Sequence, residues 1–336
     1  MTEIHELLNR LDRPPVFLTG PTGSGKTEVG IELAERLGAE IVSMDSMAVY
    51  RRMEIGTAKP SLEQRRRVPH YLLDVVEPWE EFSVSAYLRH AAEAVRRIVS
   101  RGKRVLFVGG TTLYLVALLY GIESGPPPNK ELRRRLEQEA EVRGGEWLRE
   151  QLRAVDPVAA TRIHPNDRKR LIRAIEFYQA TGRPISSVQR HFRGRPCVRA
   201  FAFYLDWPRA ELYARINERT ERMFASGWVD EVRALLQLPH PLSKTALQAH
   251  GYRPILDYLQ GWRSLEEAKE LTATQTRQYA RRQLGWLRQL REVRPVPVTA
   301  QDRPEDVASR IVQAIRAAEQ AGAAMSPVEQ DTTNQA

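Results

Sequence analysis

The sequence predicts an α/β fold, in which a parallel sheet is flanked by helices and carries an all-helical insertion. Short apolar segments alternate with helical periodicities along the first 120 residues, as is typical of parallel sheets covered by helices. A glycine-rich phosphate-binding pattern joins the first apolar segment to the first helix. From residue 126 the helical periodicity continues without strand character. These observations predict a P-loop NTPase-like core at 14–125 and 199–315 and a helical insertion at 126–198.

The elements can be placed in order along the chain. The predicted strands of the first part are 16–19, 40–44 and 104–108, and the predicted helices are 29–37, 84–99 and 113–119. Proline and glycine interrupt the helical rhythm at 121–128. Beyond this boundary we expect helices, one of them capped by Asn166 or Asp167 and ending at Gly182. Strand character returns at 199–205, helices dominate from 208 to about 290, and small polar residues predict a disordered tail at 320–336.

Charge and composition narrow the class of protein. Lys and Arg total 51 against 42 Asp and Glu, which gives a net charge of +9. This charge alone could reflect either an arginine-rich genome or an acidic binding partner. The single cysteine, Cys197, excludes a disulfide framework and a multi-cysteine zinc site. The first 15 residues lack the apolar segment of a signal peptide, and no stretch approaches the ~20 apolar residues that cross a bilayer. We therefore expect a cytoplasmic protein without membrane attachment.

A complete phosphate-binding loop follows the first strand. In the pattern G-x-x-x-x-G-K-[ST], glycines let backbone N–H groups approach phosphate oxygens, the lysine adds a charge and the hydroxyl usually holds Mg²⁺. The pattern indicates a phosphate-bearing ligand but does not choose among a kinase, an ATPase and a diphosphate-consuming transferase. Its residues are Gly20, Pro21, Thr22, Gly23, Ser24, Gly25, Lys26 and Thr27, with Thr27 the candidate metal ligand.

Two further segments end strands at the same edge of the predicted sheet, where open α/β folds bind ligands. Asp45 could cap a turn, bind magnesium or act as a general base, and its position alone favours the cap or the metal role. Gly109 and Gly110 could form a tight turn before a helix capped by Thr111, or could let a ligand approach the backbone. An NTP hydrolase more typically carries an acidic residue at this second position.

Basic residues concentrate in two segments. Residues 162–195 contain nine Arg and Lys against two acidic residues. Residues 276–294 contain six Arg and one Glu, interleaved with Tyr279 and Trp286. Most charge runs are solvated helix faces, but two basic and aromatic clusters beside a phosphate loop modestly favour nucleic-acid binding.

Seven segments, taken in order, resemble one protein family. They are GPTGSGKT (20–27), DSMAVYRRMEIGTAKP (45–60), VGGTTLY (108–114), DPVAATRIHPNDRKRLIRAIE (156–176), ASGWVDEVRALL (225–236), HGYRP (250–254) and RQYARRQLGWLR (277–288). Over residues 15–290 the chain resembles the bacterial tRNA dimethylallyltransferases of the IPP transferase family. That family transfers a dimethylallyl group from dimethylallyl diphosphate to N6 of the adenosine immediately 3′ of the anticodon. The resemblance implies that the loop holds a diphosphate and that the enzyme binds the tRNA anticodon stem-loop. With Thr27 as the candidate metal ligand we expect Mg²⁺ as the cofactor, and we expect a monomer.

The resemblance also implies roles for single residues. It makes Asp45 the general base on the adenine amine, assigns the positioning of that amine to Thr111 and puts Arg219 near the diphosphate. The positions that correspond to family contacts with tRNA are Asp45, Ser46, Met47, Ala48, Thr111, Arg133, Lys169, Arg170, Leu171, Ile172, Arg173, Leu247, Gln248, Ala249, His250, Gly251 and Tyr252. Three positions depart from the family, with Ala48 in place of the usual glutamine, Arg52 in place of glycine and His250 in place of an aliphatic residue.

Three other functions are compatible with a phosphate loop. An isopentenyltransferase that acts on free adenylate would need neither the helical insertion nor the basic clusters. A small-molecule kinase with ATP at the loop would be expected to carry an acidic residue after the third strand. A non-enzymatic RNA-binding protein would have no need of the intact pair Lys26 and Thr27.

Overall fold

The computed structural model describes residues 2–121, 125–126, 128–188 and 196–321. Of the predicted tail, residues 322–336 lie outside the described residues. The described residues form two compact units. The first takes in those of Met1–Gly121 and Arg195–Ala336, and the second takes in those of Ile122–Gly194.

The first unit is built on a six-stranded sheet. Its strands are β1 (Val16–Thr19), β2 (Ala39–Ser43), β3 (His70–Tyr71), β4 (Arg104–Val108), β5 (Phe201–Asp206) and β6 (Arg294–Pro297). All neighbouring strands are parallel, in the order β3-β2-β4-β1-β5-β6. The predicted fold class, a parallel sheet flanked by helices, is confirmed.

The centre of the sheet positions the ligand-binding edge. β1 and β2 are buried along their whole length, as expected for strands that helices cover on both faces. Phe17 on β1 pairs with Phe107 on β4, and the two rings stack with their centroids 4.7 Å apart. β1, β2 and β4 therefore end side by side, which brings the phosphate loop, Asp45 and Gly109 to one edge of the sheet.

The described residues of the amino-terminal part contain five helices. They are α1 (Glu3–Asn9), α2 (Lys26–Leu37), α3 (Leu62–Arg67), α4 (Val84–Ser100) and α5 (Thr112–Tyr120). Of these, α2 and α4 pack against the sheet. α2 begins after Gly25 and ends before Gly38, and both glycines have the positive φ that this residue adopts without strain.

The second unit is helical throughout its described residues. It contains α6 (Lys130–Arg143), α7 (Gly145–Val155), α8 (Pro157–Arg162), α9 (Arg168–Thr181) and α10 (Ile185–Val188). Asp167 caps α9 by accepting a hydrogen bond from the Arg170 N–H, and Gly182 ends the helix in a left-handed conformation. Apolar side chains form a core of their own in this unit, among them Leu136, Leu152, Leu171 and Phe177.

The carboxyl-terminal part of the first unit is mostly helical. It contains α11 (Arg209–Ala225), α12 (Trp228–Leu236), a short 3-10 helix (Ala246–Gln248), α13 (Tyr252–Leu259), α14 (Leu265–Leu287) and α15 (Pro304–Gln320). α11 packs against α14, and α15 packs against α2. Within the described ranges, no helix combines the length and the apolar character needed to cross a membrane.

Candidate active site

A cleft of about 1320 Å³ opens at the carboxyl edge of the sheet in the first unit. Its walls come from the phosphate loop, the segment after β2, the turn after β4 and residues of α11 and α14. Lys26, Asp45 and Arg219, which the sequence separates widely, all line this cleft together with His250 and Tyr279. The structure thus brings the predicted anion-binding residues and the candidate base into one cavity.

Two side chains fix the phosphate loop from the carboxyl-terminal part of the unit. Arg215 Nε donates to the Gly23 carbonyl at 3.0 Å, and Trp207 Nε1 donates to the Ser24 carbonyl at 3.0 Å. The Arg215 guanidinium also lies 4.4 Å from the centre of the Trp207 ring, in a cation–π contact. These contacts hold the loop around the start of α2, where backbone N–H groups bind anions.

Two cations stand close together in the cleft. Lys26 Nζ donates to the Pro21 carbonyl at 2.7 Å. Burial lowers the pKa of Lys26 to about 8, with a further lowering by the charge of Arg219 and an opposing effect of Asp45. The Arg219 side chain forms no hydrogen bond or ion pair with any other described residue, and burial lowers its pKa against the opposing effect of the Asp45 and Glu28 charges. A bound anion would stabilise both charges.

Asp45 uses its two carboxylate oxygens differently. Oδ1 accepts hydrogen bonds from the Met47 N–H at 2.8 Å and the Ala48 N–H at 3.2 Å, so it caps the turn after β2. Oδ2 hydrogen-bonds to no other described residue, and Asp45 is only half-buried where it lines the cleft. The capping role therefore leaves one oxygen available to accept a proton.

The turn after β4 supports the segment that carries Asp45. The Thr111 hydroxyl accepts from the Ser46 N–H at 3.0 Å and donates to the Ser46 hydroxyl at 3.3 Å. Although Thr111 is the N-cap residue of α5, its side chain makes no capping hydrogen bond to that helix. Gly109 lies so close to Met44 that a Cβ would be 2.3 Å from the Met44 carbonyl oxygen, which requires glycine.

Aromatic side chains line the cleft together with Asp45. The His250 and Tyr279 rings lie 4.5 Å apart at an angle of 42°, and the Arg282 guanidinium lies 5.8 Å from the centre of the Tyr279 ring. Burial, reinforced by the charge of Asp45, raises the pKa of Tyr279 to about 12. Burial, reinforced by the charge of Arg282, lowers the pKa of His250. An uncharged aromatic surface beside a carboxylate suits the stacking of a nucleobase.

The residues of the first unit that the sequence predicts to contact tRNA differ in exposure. Those that line the cleft are Asp45, Ser46, Met47, Ala48, Gln248, Ala249 and His250. Gly251 and Tyr252 are buried at the start of α13, and Leu247 is half-buried. The Thr111 side chain reaches Ser46, as described above.

The predicted contacts on α9 of the second unit also divide by exposure. Lys169 and Arg170 are exposed, whereas Leu171 and Ile172 are buried in the core of the unit. Arg173 is half-buried. A single stretch of sequence thus contributes both to the surface and to the core.

Arg133 and Arg173 share one buried partner. Glu176, whose side chain is 1% exposed, accepts from Arg133 at 2.7 Å and from Arg173 at 2.6 Å. The Asn129 N–H donates to the same carboxylate at 2.7 Å. Burial disfavours the Glu176 charge, but the two guanidinium groups outweigh it and lower the pKa of this carboxyl. Both arginines therefore support the fold of the second unit.

The three departures from the family have distinct structural settings. Ala48 lines the cleft but is only 4% exposed. Arg52 has a φ of 65°, the left-handed conformation that favours glycine. His250 packs against Tyr279, so an aromatic pair stands where an aliphatic residue is usual.

Two residues that no sequence motif indicates also belong to the framework of the site. The Gln283 side chain bridges the Thr22 N–H and the Gly110 carbonyl. The Glu231 carboxylate accepts hydrogen bonds from the backbone N–H groups of 54–56 at 2.6 to 3.1 Å. Both lie in segments that carry the family resemblance, and a polar residue on an otherwise packed helix face is the signal that could have identified them.

The cleft contains few side chains that could bind a metal ion without help from a ligand. The described residues contain no group of three or more His, Cys, Asp or Glu side chains that could hold one. The Thr27 hydroxyl lines the cleft and hydrogen-bonds to no other described residue. One hydroxyl without a carboxylate cluster fits Mg²⁺, which proteins commonly hold through few side chains together with substrate phosphates.

The fold and the site define a P-loop α/β protein that binds a phosphate-bearing ligand beside a carboxylate. The sequence model of the IPP transferase family matches residues 48–290, and the chain belongs to this family. The chain is 48% identical over 280 residues to the tRNA dimethylallyltransferase of Geobacter metallireducens, an alignment that covers 83% of this chain and 90% of that relative.

Two solved structures share the fold. The tRNA isopentenylpyrophosphate transferase of Bacillus halodurans superposes with a TM-score of 0.66 at 34% identity, covering 91% of this chain and 98% of that one. A eukaryotic dimethylallyltransferase acting on tRNA superposes with a TM-score of 0.76 at 25% identity, covering 94% of this chain and 81% of that one.

Proposed function

We propose that this protein transfers a dimethylallyl group from dimethylallyl diphosphate to N6 of the adenosine immediately 3′ of the anticodon in tRNA, releasing diphosphate. One observation carries the proposal: two cations, Lys26 and Arg219, share a cleft with the free Oδ2 of Asp45. This is the charge arrangement that an anionic leaving group and a proton-releasing nucleophile require. The names of the relatives support a dimethylallyl group as the group transferred and tRNA as its acceptor.

The donor side of the cleft serves the leaving group. The diphosphate would bind to the backbone N–H groups of the loop, to Lys26 and to Arg219. When the C1–O bond breaks, its electron pair stays on the diphosphate oxygen, and these positive groups stabilise the developing charge. Mg²⁺, held by the Thr27 hydroxyl and the diphosphate oxygens, would supply further neutralisation of that charge.

The acceptor side serves the nucleophile. The N6 lone pair forms the new bond to C1 of the dimethylallyl group, and an N6 proton passes to Oδ2 of Asp45. Because the target base must leave its stack to reach the cleft, the aromatic pair of His250 and Tyr279 provides a surface for it. Thr111 acts through Ser46, by holding the segment in which Asp45 lies.

We further propose that the second unit contacts the anticodon stem-loop, mainly through the exposed side chains of Lys169 and Arg170. Leu171 and Ile172 would act by anchoring the helix that presents them, since both are buried. We propose that the enzyme acts as a monomer in the cytoplasm, where tRNA is used.

The test uses purified full-length protein, tRNA and either dimethylallyl diphosphate labelled in its allyl carbon or labelled ATP. We expect the allyl label in a prenylated adenosine after digestion of the tRNA to nucleosides, and no such product from Lys26→Ala, which should still bind tRNA. ATP hydrolysis without a prenylated nucleoside would instead indicate a kinase or ATPase. In a parallel reaction that contains free adenylate in place of tRNA, equal incorporation of the allyl label would indicate an isopentenyltransferase that acts on free nucleotides.

A further inference from the structure

A buried amide closes the phosphate loop on the side of β4. Gln283 lies on α14 and is 3% exposed. Its Oε1 accepts from the Thr22 N–H at 2.9 Å, and its Nε2 donates to the Gly110 carbonyl at 2.7 Å. Both ends of the amide are therefore paired, one to the loop and the other to the turn after β4.

This bridge crosses the space beside the lysine. A Cβ on Gly110 would lie 2.7 Å from Gln283 Nε2, 3.3 Å from the Gly20 carbonyl oxygen and 3.5 Å from Lys26 Nζ. The Gln283 amide, the Gly20 carbonyl and the Lys26 ammonium group thus all lie within 3.5 Å of this one point beside Gly110. In loops that hold a nucleoside triphosphate, the lysine reaches the β- and γ-phosphates, so the last phosphate lies beside its ammonium group.

We infer that Gln283 determines the length of the anion that the loop accepts, by admitting a diphosphate and excluding a third phosphate. The inference rests on the proposed function, because it takes the diphosphate of an allylic donor as the ligand. Gln283 acts in two ways: its amide fills space beside Lys26, and it occupies the Thr22 N–H, which a further phosphate oxygen would need. A third phosphate would have to displace the amide and leave the Gly110 carbonyl without its donor.

The same arrangement explains how a loop pattern common in nucleoside triphosphate-binding proteins can bind the diphosphate of an allylic donor instead. The pattern from Gly20 to Thr27 is complete, so the loop itself does not distinguish two phosphates from three. The distinction comes from α14, which supplies a side chain 261 positions away from its partner in the loop.

The test compares binding of inorganic diphosphate and inorganic tripolyphosphate, each with Mg²⁺, to the full-length protein by isothermal titration calorimetry. The variants are Gln283→Ala and, as the matched control, Gln278→Ala, an exposed glutamine on the same helix outside the cleft. We expect the wild type and the control to prefer diphosphate by roughly 10-fold or more, and Gln283→Ala to lose most of this preference by gaining affinity for tripolyphosphate.

Equal affinity of the wild type for the two anions would overturn the inference, as would an unchanged preference in a folded Gln283→Ala variant. Should that variant not fold, Gln283→Asn keeps the amide but shortens it by one methylene, so it should weaken the preference in the same direction. An unchanged preference in Gln283→Asn would then overturn the inference. Binding of neither anion by the wild type would contradict the proposed function itself, and the inference with it.

Discussion

Arginine side chains have different partners in the two units. In the cleft of the first unit, Arg219 has no hydrogen bond or ion pair with any other described residue. In the second unit, Arg133 and Arg173 both bind the buried carboxylate of Glu176. A half-buried cation whose side chain has no hydrogen bond or ion pair indicates a place where a ligand brings the opposite charge. A cation paired with a buried carboxylate instead holds elements of the fold together.

This difference distinguishes arginines that can bind a ligand from arginines that stabilise the fold. The family resemblance assigns Arg219 to the diphosphate and both Arg133 and Arg173 to tRNA, without distinguishing these situations. The contacts distinguish them, because Arg133 and Arg173 cannot both turn from Glu176 to a phosphate without leaving a buried carboxylate without its cations. Lys169 and Arg170 on α9 are exposed, and the carboxylate that pairs with Arg170 at 3.4 Å, that of Asp167, is itself partly exposed, so this pair is weaker than those on Glu176.

Among the variants that compare the two units, Arg219→Ala has the largest expected effect. Because this guanidinium has no partner in the described chain, its loss should leave the melting temperature unchanged or raised. Transfer should fall by about 10²–10³-fold, since one stabiliser of the leaving group is lost. Single-turnover transfer and a melting curve measure both quantities. Arg209→Ala, at the start of the same helix and outside the cleft, should change neither, and a destabilised Arg219→Ala variant with normal transfer would reverse the assignment.

Replacing both Arg133 and Arg173 by Met should instead lower stability and leave diphosphate binding intact. Glu176 then keeps only the Asn129 N–H as a donor, and the second unit should lose about 3 kcal/mol of stability because a buried carboxylate is left without its cations. Faster hydrogen exchange in α9, measured by mass spectrometry, would report this loss, while diphosphate binding should persist. Arg134→Met, on an exposed neighbour in α6, is the control. Unchanged protection of α9 would mean that the two ion pairs do not support the unit.

A smaller effect is expected from Lys169→Ala combined with Arg170→Ala. Each phosphate contact contributes just under one unit to the slope of log affinity against log salt, so the double variant should flatten the slope for tRNA by about 1–2 units. Diphosphate binding should not change. Arg143→Ala combined with Arg153→Ala removes two exposed arginines from elsewhere on the second unit and serves as the control. An unaltered slope in the α9 variant would move the RNA-binding surface to the basic segment 277–294.

The smallest effect concerns pH. Because the pKa of Lys26 is lowered to about 8, the ammonium is charged below that pH, and diphosphate binds without taking up a proton. Above pH 8 binding must first protonate the lysine, so the Kd should rise by about 10-fold between pH 7 and pH 9. Lys26→Arg keeps its charge throughout this range and reports the ionisation of the ligand alone. The same pH dependence in both proteins would show that the pKa of Lys26 is not lowered.

The sequence predicts the centre of the sheet well and its edges poorly. The predicted strands 16–19 and 104–108 coincide with β1 and β4, because buried parallel strands are continuous apolar runs. β3 and β6 were not predicted. β3 has two residues, and β6 contains Pro295 and Pro297, which remove backbone donors and are tolerated at the edge of a sheet.

The residues of the candidate site likewise divide into those that the sequence predicts and those that it does not. The phosphate loop and Asp45 are recognisable because their residue types and spacing are local to one strand end. Gln283 is not, since its two hydrogen bonds join positions 261 and 173 residues apart. The ion pairs that distinguish Arg133 from Arg219 are likewise tertiary contacts, which a residue type in a basic run does not reveal.

The most direct test of the account is single-turnover transfer by Asp45→Asn, with saturating dimethylallyl diphosphate and tRNA. Asparagine keeps an oxygen that can accept the hydrogen bonds of the Met47 and Ala48 N–H groups, so the turn and the melting temperature should be preserved. Asparagine does not accept the N6 proton, so the transfer rate should fall by about 10²–10⁴-fold while both substrates still bind, and added Mg²⁺ should not restore it. Transfer near the wild-type rate would contradict the account, and so would recovery of the rate at high Mg²⁺.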